Sequence, residues 1–546
     1  MDRNAGYHPA VSSERSWSTK TPEGALDYIV IGSGMGGMTS AAMLAKLGKR
    51  VLVLEQHYEP GGFTHTFKRK GWRWDVGVHA VGEVSEHTMP GRLLAHLSGG
   101  RLRWASLGEV YDEFYWPEGF RIDFPDTPEK FKANLYAAFP DEHAAIDRWF
   151  ELAREVSGAM RSYYLGRALP AKVGPLADRI FARTAKKYFE RRTADVLAEI
   201  TDDPKLRAVL VSQWGYYGSP PSRSSFAMQA LVTRHFQWGA YYPEGGSQEI
   251  ARCLLRTVAE AGGWTKIRAD VDEILIADGA VQGVRLVGRD GAPGEVIHAP
   301  KVISAAGVWS TVERLLPQSV KDQSWARSVV ELDPAPAHVC VYVGFKGDIT
   351  KAGAGAANKW FYESWDTELA AWEVEAGREV QPKVDVLYCS FPSLKDPHHD
   401  PGPEQLHTGE IVTFVPWDAF ERWRGSRWMK RGEDYEAFKA SMTKVIMDQY
   451  LAHLPELAPM VAHVELSTPL STDHFSRPYA GSIYGLEPTP ERFRNASLRP
   501  RSPVDGLYFA GSEVTTVGVM GAMMGGVLAV VSAEPVAGLR MVKSVA

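Results

Sequence analysis

Residues 27–62 read DYIVIGSGMGGMTSAAMLAKLGKRVLVLEQHYEPGG. The segment opens with an apolar run at residues 28–31, long enough for one buried parallel strand. Gly32, Gly34 and Gly37 follow as G-x-G-x-x-G. The first glycine permits a tight turn, the second lets backbone approach a pyrophosphate, and the third lets a helix lie close on the strand. Residues 38–47 are rich in Ala, Leu and Met and predict that helix, with Gly48 placed to stop it. A second strand at 51–54 ends in Glu55, 21 residues after Gly34, where an acid meets a ribose hydroxyl in a dinucleotide fold. The helix N-terminus would hold the phosphate charge through its free N–H groups and its dipole. A bare glycine turn would not bring strand, turn, helix, strand and acid into register.

Outward from this unit, the pair Gly61-Gly62 comes just after the acid and is followed by FTHTFKRKGWRWDVGVHAVG. A second glycine pair so soon after the acid resembles the extended signature of two-dinucleotide-binding flavoproteins, in which that loop lies along FAD. The chain has 546 residues, long for one domain. With 45% hydrophobic and 23% charged residues its composition is that of an ordinary globular protein. A net charge of −5 gives no support for a nucleic-acid partner. Cys253, Cys340 and Cys389 are far apart and form no C-x-x-C, which argues against a disulfide framework or a zinc site and fits a reducing, cytoplasmic setting. No metal site is expected; His398-His399, beside Pro397 and Asp400, read as loop surface. Residues 1–24 are polar, lack a secretory apolar core and read as a flexible leader. The longest apolar stretch, 517–531, is interrupted by four glycines and is short for a membrane span; a buried glycine-rich helix against a cofactor explains it better.

Three separated segments carry α/β or cofactor-binding patterns: 25–90, 240–310 and 481–546. The second holds YYPEGGSQEI leading into an amphipathic helix, then strands at 271–276 and 281–287 joined by a turn at Asp278-Gly279. Two long insertions, 91–239 and 311–480, lie between them and are dense in aromatics. The first is mainly helical by period, as at 149–160 and 194–200; the second mixes strands at 338–345, 384–390 and 411–416 with a helix at 435–451. The expected architecture is α/β: a discontinuous Rossmann domain with an inserted mixed substrate domain.

Four motifs together, VIGSGMGGM, LEQHYEPGGFTHTFKRKGWRWDVGVHAVG, YYPEGGSQEI and GLYFAGSEVTTVGVMGAMMGG, resemble the phytoene desaturase superfamily of flavoproteins, most closely its carotenoid isomerase and retinol saturase branch. The resemblance implies a glutathione-reductase-like FAD fold. It also implies an enzyme acting on C–C double bonds of a long apolar substrate (polyene, carotenoid, retinoid or fatty acyl) by saturation, desaturation or isomerisation. It places Val271 where a strand backbone meets adenine, and Gly511 and Gly521 with the following helix beside the flavin ring. It puts the segments of His79 and Tyr484 by the cofactor as candidate proton donors, with Arg477 near. Many relatives carry Asp in a C-terminal A-G-D or G-Q-D motif on the ribityl chain; here AGSEV offers Glu513, one methylene longer. No second glycine fingerprint with an acid offers an NAD(P) site, so the electron donor or acceptor is expected to be external. Peripheral membrane association is a corollary of an apolar substrate. Two rival readings share the fold: an amine oxidase-like flavoenzyme with an aromatic cage, and a non-catalytic lipid-escort protein.

Overall fold

In the computed structural model, which describes residues 16–168, 183–288, 292–368, 372–378 and 380–545, strand Tyr28–Ile31, helix Met35–Lys46 and strand Val51–Glu55 follow one another. Every residue of both strands is buried, as strands covered on both faces of a parallel sheet must be. Gly32 takes φ 89°, a left-handed conformation that favours glycine. A Cβ on Gly37 would stand 2.0 Å from the Gly32 carbonyl oxygen, so only glycine lets the helix cross the strand this closely. These two strands occupy the middle of a six-stranded parallel sheet with the order 17–18, 264–267, 51–55, 28–31, 302–304, 507–509.

Trp17–Ser18 pairs in register with Thr265 and Lys266, and the Trp17 side chain is buried. Residues 16–24 are therefore not wholly a flexible leader, because an edge strand and a buried indole anchor them; residues 1–15 lie outside the described residues. Helix Met89–Ser98 packs on Met35–Lys46 and on Gln248–Glu260, which carries the glycine-rich unit past residue 90. The short helices from Val308 to Val330 bury Val312, Ala326 and Val329 under the same sheet, so that side also extends past residue 310.

The two insertions share a seven-stranded mixed sheet with the order 461–467, 337–346, 406–415, 386–390, 358–362, 110–115, 121–125. Its residues alternate between two cores. Trp360 and Tyr362 join Phe114 and Phe414 under the helices His143–Ala168 and Phe226–His235. Phe361 joins Val341, Leu387 and Ile411 against helix Glu433–His453. That period of two explains why both insertions are so aromatic: each face of the sheet meets its own helical layer.

The apolar segment near the C-terminus forms helix Gly518–Ala533, buried against the first helix. The crossing is close. A Cβ on Gly36 would lie 2.6 Å from the Gly511 nitrogen, one on Gly526 2.4 Å from the Gly36 oxygen, and Ser40 Oγ is 3.1 Å from the Gly526 oxygen. Among the described residues no helix is long and apolar enough to cross a membrane.

Candidate active site

A cleft of about 420 Å³ runs along the C-terminal ends of the parallel strands. Gly32, Gly34, Glu55, Gly62, Val271, Gly511 and Glu513 all line it. A Cβ added at Gly34 or at Gly511 would meet nothing within 4 Å, whereas those at Gly36 and Gly37 collide with backbone. The two bare positions thus open onto the cleft, and the two crowded ones hold the elements together. Gly34 is the N-cap of Met35–Lys46 and gives it no side-chain cap; no acid stands in its first turn. The free N–H groups and the positive helix end face an anion site. Dinucleotide pyrophosphate chemistry fits this cradle.

Glu55 closes the second strand from a buried position. Its Oε2 accepts from the Ser33 N–H at 3.0 Å and from Ser33 Oγ at 2.5 Å; its Oε1 accepts from the His57 N–H at 2.8 Å. The acid therefore ties the strand end to the glycine loop as well as facing the cleft. Gly61, with φ 129°, turns the next loop and donates its N–H to Ser33 Oγ at 3.0 Å, but it stands behind the lining. Gly62 comes so close to Gly34 that a Cβ there would be 3.0 Å from the Gly34 Cα.

Glu513 compensates for its extra methylene by reaching sideways. Its Oε2 accepts from the N–H groups of Val308 at 2.5 Å and Trp309 at 3.1 Å, fixing the carboxylate on the start of a helical turn while it still lines the cleft. Burial raises its pKa; those backbone donors and the buried Arg492 act against the rise. Arg477 lines the cleft's rim with φ 48° and pairs with Asp270 at 2.8 Å.

Gly77, Ile483, Tyr484, Gly518 and Val519 line this cleft and also a second cavity of about 1200 Å³. The second cavity runs through the insertions past Met160, Leu231, Val232, Trp360, Phe414 and Met524. Where the two meet, helix Gly518–Ala533 presents its N-terminus, again with no side-chain cap and no acid in the first turn. Gly521 belongs to the larger cavity and not to the cleft; its smallness is required by packing, since a Cβ would stand 2.0 Å from the Thr516 oxygen.

Tyr484 stands at the junction, and its hydroxyl donates to the Gly215 carbonyl at 3.1 Å. Burial pushes its pKa up, so it holds its proton. His79 lines the larger cavity alone. Burial, followed by the charge of Lys395, pushes the His79 pKa down to about 3, which favours the neutral imidazole. The His398-His399 pair turns apart, one ring nitrogen 3.2 Å from Glu244 Oε2 and the other 2.8 Å from the Leu406 carbonyl.

Three buried charged residues beside His79 escaped the reading of the sequence. Glu410, on strand Leu406–Val415, is fully buried, with Oε2 2.9 Å from His79 Nδ1. Asp75 donates its backbone N–H to Glu410 Oε1 at 2.9 Å, and its carboxylate accepts from Tyr242 and Ser247. Lys395 donates to the His79 carbonyl at 2.7 Å, to Ser390 Oγ at 2.7 Å and to Asn358 Oδ1. Burial pushes Glu410 up to about 8 and Asp75 up to about 6, and pushes Lys395 down to about 7. Asp75 was visible inside WDVGVH, and Glu410 as an acid within a strand of apolar residues; neither signal tells buried from exposed without the sheet.

Residues 35–532 match the family model for flavin containing amine oxidoreductases. Over 526 residues the chain is 32% identical to an all-trans-retinol 13,14-reductase of Danio rerio, covering 93% of this chain and 86% of the relative. It is 25% identical to a chloroplastic prolycopene isomerase of Daucus carota, covering 91% and 79%. Among solved structures, putrescine oxidase bound to putrescine superposes with a TM-score of 0.60 at 15% identity, covering 94% of this chain and 100% of that one, a likeness of fold. The chain belongs to the flavin-containing amine oxidoreductase family, in the group that includes the retinol reductases and carotenoid isomerases. It is an FAD-dependent oxidoreductase, and the cleft along the glycine loop is of the kind that cofactor requires.

Proposed function

We propose that the enzyme acts on a carbon–carbon double bond of a long apolar polyene, and that reduction of that bond is its reaction. The observation that carries this reading is the continuity of the FAD cleft with the 1200 Å³ apolar cavity through five shared residues. The name of the Danio rerio relative supports reduction, at higher identity than the isomerase.

Gly34, Glu55, Gly62, Val271, Gly511 and Glu513 would hold FAD, whose isoalloxazine supplies the hydride chemistry. The residues of the chain do the rest. Val232, Met524 and Trp360 line up the substrate and keep water from the reacting carbons. The N-terminus of Gly518–Ala533 favours negative charge where the two cavities meet. Tyr484 retains its proton and bounds the junction. Leu165, Trp238 and Leu539 line the larger cavity and are 54%, 49% and 38% exposed, so the entrance lies among apolar side chains suited to a lipid surface. Anaerobic incubation of photoreduced holoenzyme with all-trans-retinol and with prolycopene, followed by mass analysis, tests the reading. A gain of two hydrogens is expected. A product of unchanged mass would replace reduction by isomerisation, and turnover of amines alone would sink the polyene reading.

A further inference from the structure

Reduction of a double bond needs a proton as well as a hydride, and neither candidate donor at the cavity supplies one by itself. The Tyr484 hydroxyl is engaged with a backbone carbonyl, and the His79 ring is neutral with no titratable proton of its own to spare. Behind His79 stands Glu410. Oε1 of Glu410 is taken by the Asp75 N–H, which leaves Oε2 as the oxygen facing His79 Nδ1. Both of these atoms are buried without a hydrogen-bond partner despite lying 2.9 Å apart: they are close but out of line. A buried pair this close and yet unbonded is unusual, since such groups are normally satisfied.

Resting on the polyene-reduction reading, we infer that Glu410 stores the substrate's proton and passes it through the imidazole of His79, with the nearby Lys395 favouring the carboxylate that remains. His79 is the catalytic residue, because it reaches the cavity; Glu410 and Lys395 act through it. In the step, the Glu410 O–H bond breaks and an Nδ1–H bond forms. The Nε2–H bond breaks and a C–H bond forms at the carbon beside the one that takes hydride from two-electron-reduced flavin. Imidazole begins and ends neutral, in its other tautomer. Glu410 ends as a carboxylate; after product leaves, Nε2 takes a proton from solvent in the cavity and Nδ1 returns its proton to Glu410, which restores both groups.

The surroundings suit each state. The groups facing Glu410 are Asp75, His79, Lys395 and, from the adjoining strand, Cys340 and Tyr342; His338 faces His79. Desolvation favours the protonated carboxyl before the step and holds it up to about 8, against the pull of the Asp75 N–H and of Lys395 toward the carboxylate. Lys395 donates to three acceptors nearby, and a carboxylate formed at Glu410 draws the lysine toward its charged form, as the lysine draws Glu410 toward its own. The lysine's bond to the His79 carbonyl also fixes the backbone that carries the imidazole.

The test uses FAD-loaded wild type and Glu410→Gln, which retains an oxygen for the Asp75 N–H. Infrared difference spectra at pH 7 should show the carbonyl stretch of a protonated carboxyl in wild type and lose it in the variant. No such band in wild type overturns the inference. With all-trans-retinol, Glu410→Gln should lower kcat at least tenfold, leave KM within about twofold and remove the alkaline limb near pH 8 from the rate profile. Full turnover with an unchanged pH profile overturns it. If wild type reduces no polyene, the proposed function fails, and the proton path to substrate falls with it; the infrared band then still decides whether Glu410 holds a proton. Lys395→Met should lower the rate and raise the carboxyl's apparent pKa, whereas a merely structural lysine would leave that pKa in place.

Discussion

Gly34 and Gly37 belong to one motif, yet their substitutions should fail in opposite ways. Gly34 has φ −66° and ψ 174°, a conformation open to any residue, and its added Cβ would meet nothing within 4 Å. Stiffening the unfolded chain gains about 0.4–1 kcal/mol, and replacing a glycine N-cap by alanine loses a comparable amount. Flavin-free Gly34→Ala should thus unfold within about 0.5 kcal/mol of wild type. Its methyl nevertheless projects into the pyrophosphate space, and overpacking there costs about 1–3 kcal/mol, or about 5- to 150-fold in FAD affinity. Gly34→Val should bind no measurable FAD. Gly37→Ala is the converse. Its Cβ would sit 2.0 Å from the Gly32 oxygen and 3.1 Å from the Ala305 Cβ, and backbone must move by more than 1 Å to restore the contact of about 3.5 Å that two heavy atoms require. That places the loss at about 3 kcal/mol, in the flavin-free protein too. Urea unfolding of flavin-free proteins, followed by tryptophan fluorescence, and titration with FAD separate the two. Equal loss of unfolding midpoint in both alanine variants, or an unchanged FAD dissociation constant in Gly34→Ala, would refute this division of labour.

FAD should be bound without a covalent link, so heat or acid should leave a colourless pellet and a yellow supernatant; yellow protein after denaturation would contradict it. Glu55→Ala removes a charged acceptor and should weaken FAD binding by about 1.5–3 kcal/mol, or about ten- to a hundred-fold, measured by fluorescence titration. The same variant frees Ser33 and His57 from their carboxylate, so a modest fall in unfolding midpoint should accompany it. Glu410 is a carboxyl with a raised folded pKa, so its contribution is fully present below its ordinary value of 4.5 and is lost as pH rises to about 8. Wild type should lose stability relative to Glu410→Gln across that window, by on the order of 1.4 kcal/mol per pH unit; parallel stability curves would show that Glu410 is ordinary.

The cofactor half was readable because its signals are local. Gly32, Gly34, Gly37 and Glu55 lie within 24 consecutive residues, and their spacing carries its own geometry. Some elements of the insertions were readable, the strands at 338–345, 384–390 and 411–416 and the helical period at 149–160, but not the sheet, because its strand order joins residues 110–125 to 337–467. Trp17–Ser18 looked like leader because two residues carry no periodicity; only pairing with Thr265 reveals the strand. The charged centre was hidden for the same reason. Glu410 and Lys395 lie more than 300 residues from Asp75 and His79, and of the four the sequence singled out only His79. What brings them together is the pairing of Leu406–Val415 with Ala337–Lys346 and the passage of residues 75–79 across it.

The crossing of the first and last long helices has a consequence for how the protein is made. Gly36 meets Gly511 and Gly526, contacts that span nearly the whole chain. Synthesis proceeds from the N-terminus at about 5–20 residues per second, so the glycine loop exists long before the helix that completes its wall. The nascent Rossmann unit lacks its outer strand at 507–509 and the Gly511 side of the cleft until those residues have been made. Flavin retention should therefore wait for residues 507–526, and a ribosome-bound chain arrested before residue 500 should fail to retain FAD despite an intact fingerprint. The helix at 518–533 acts as the latch on the glycine loop, which precedes it by almost 500 residues.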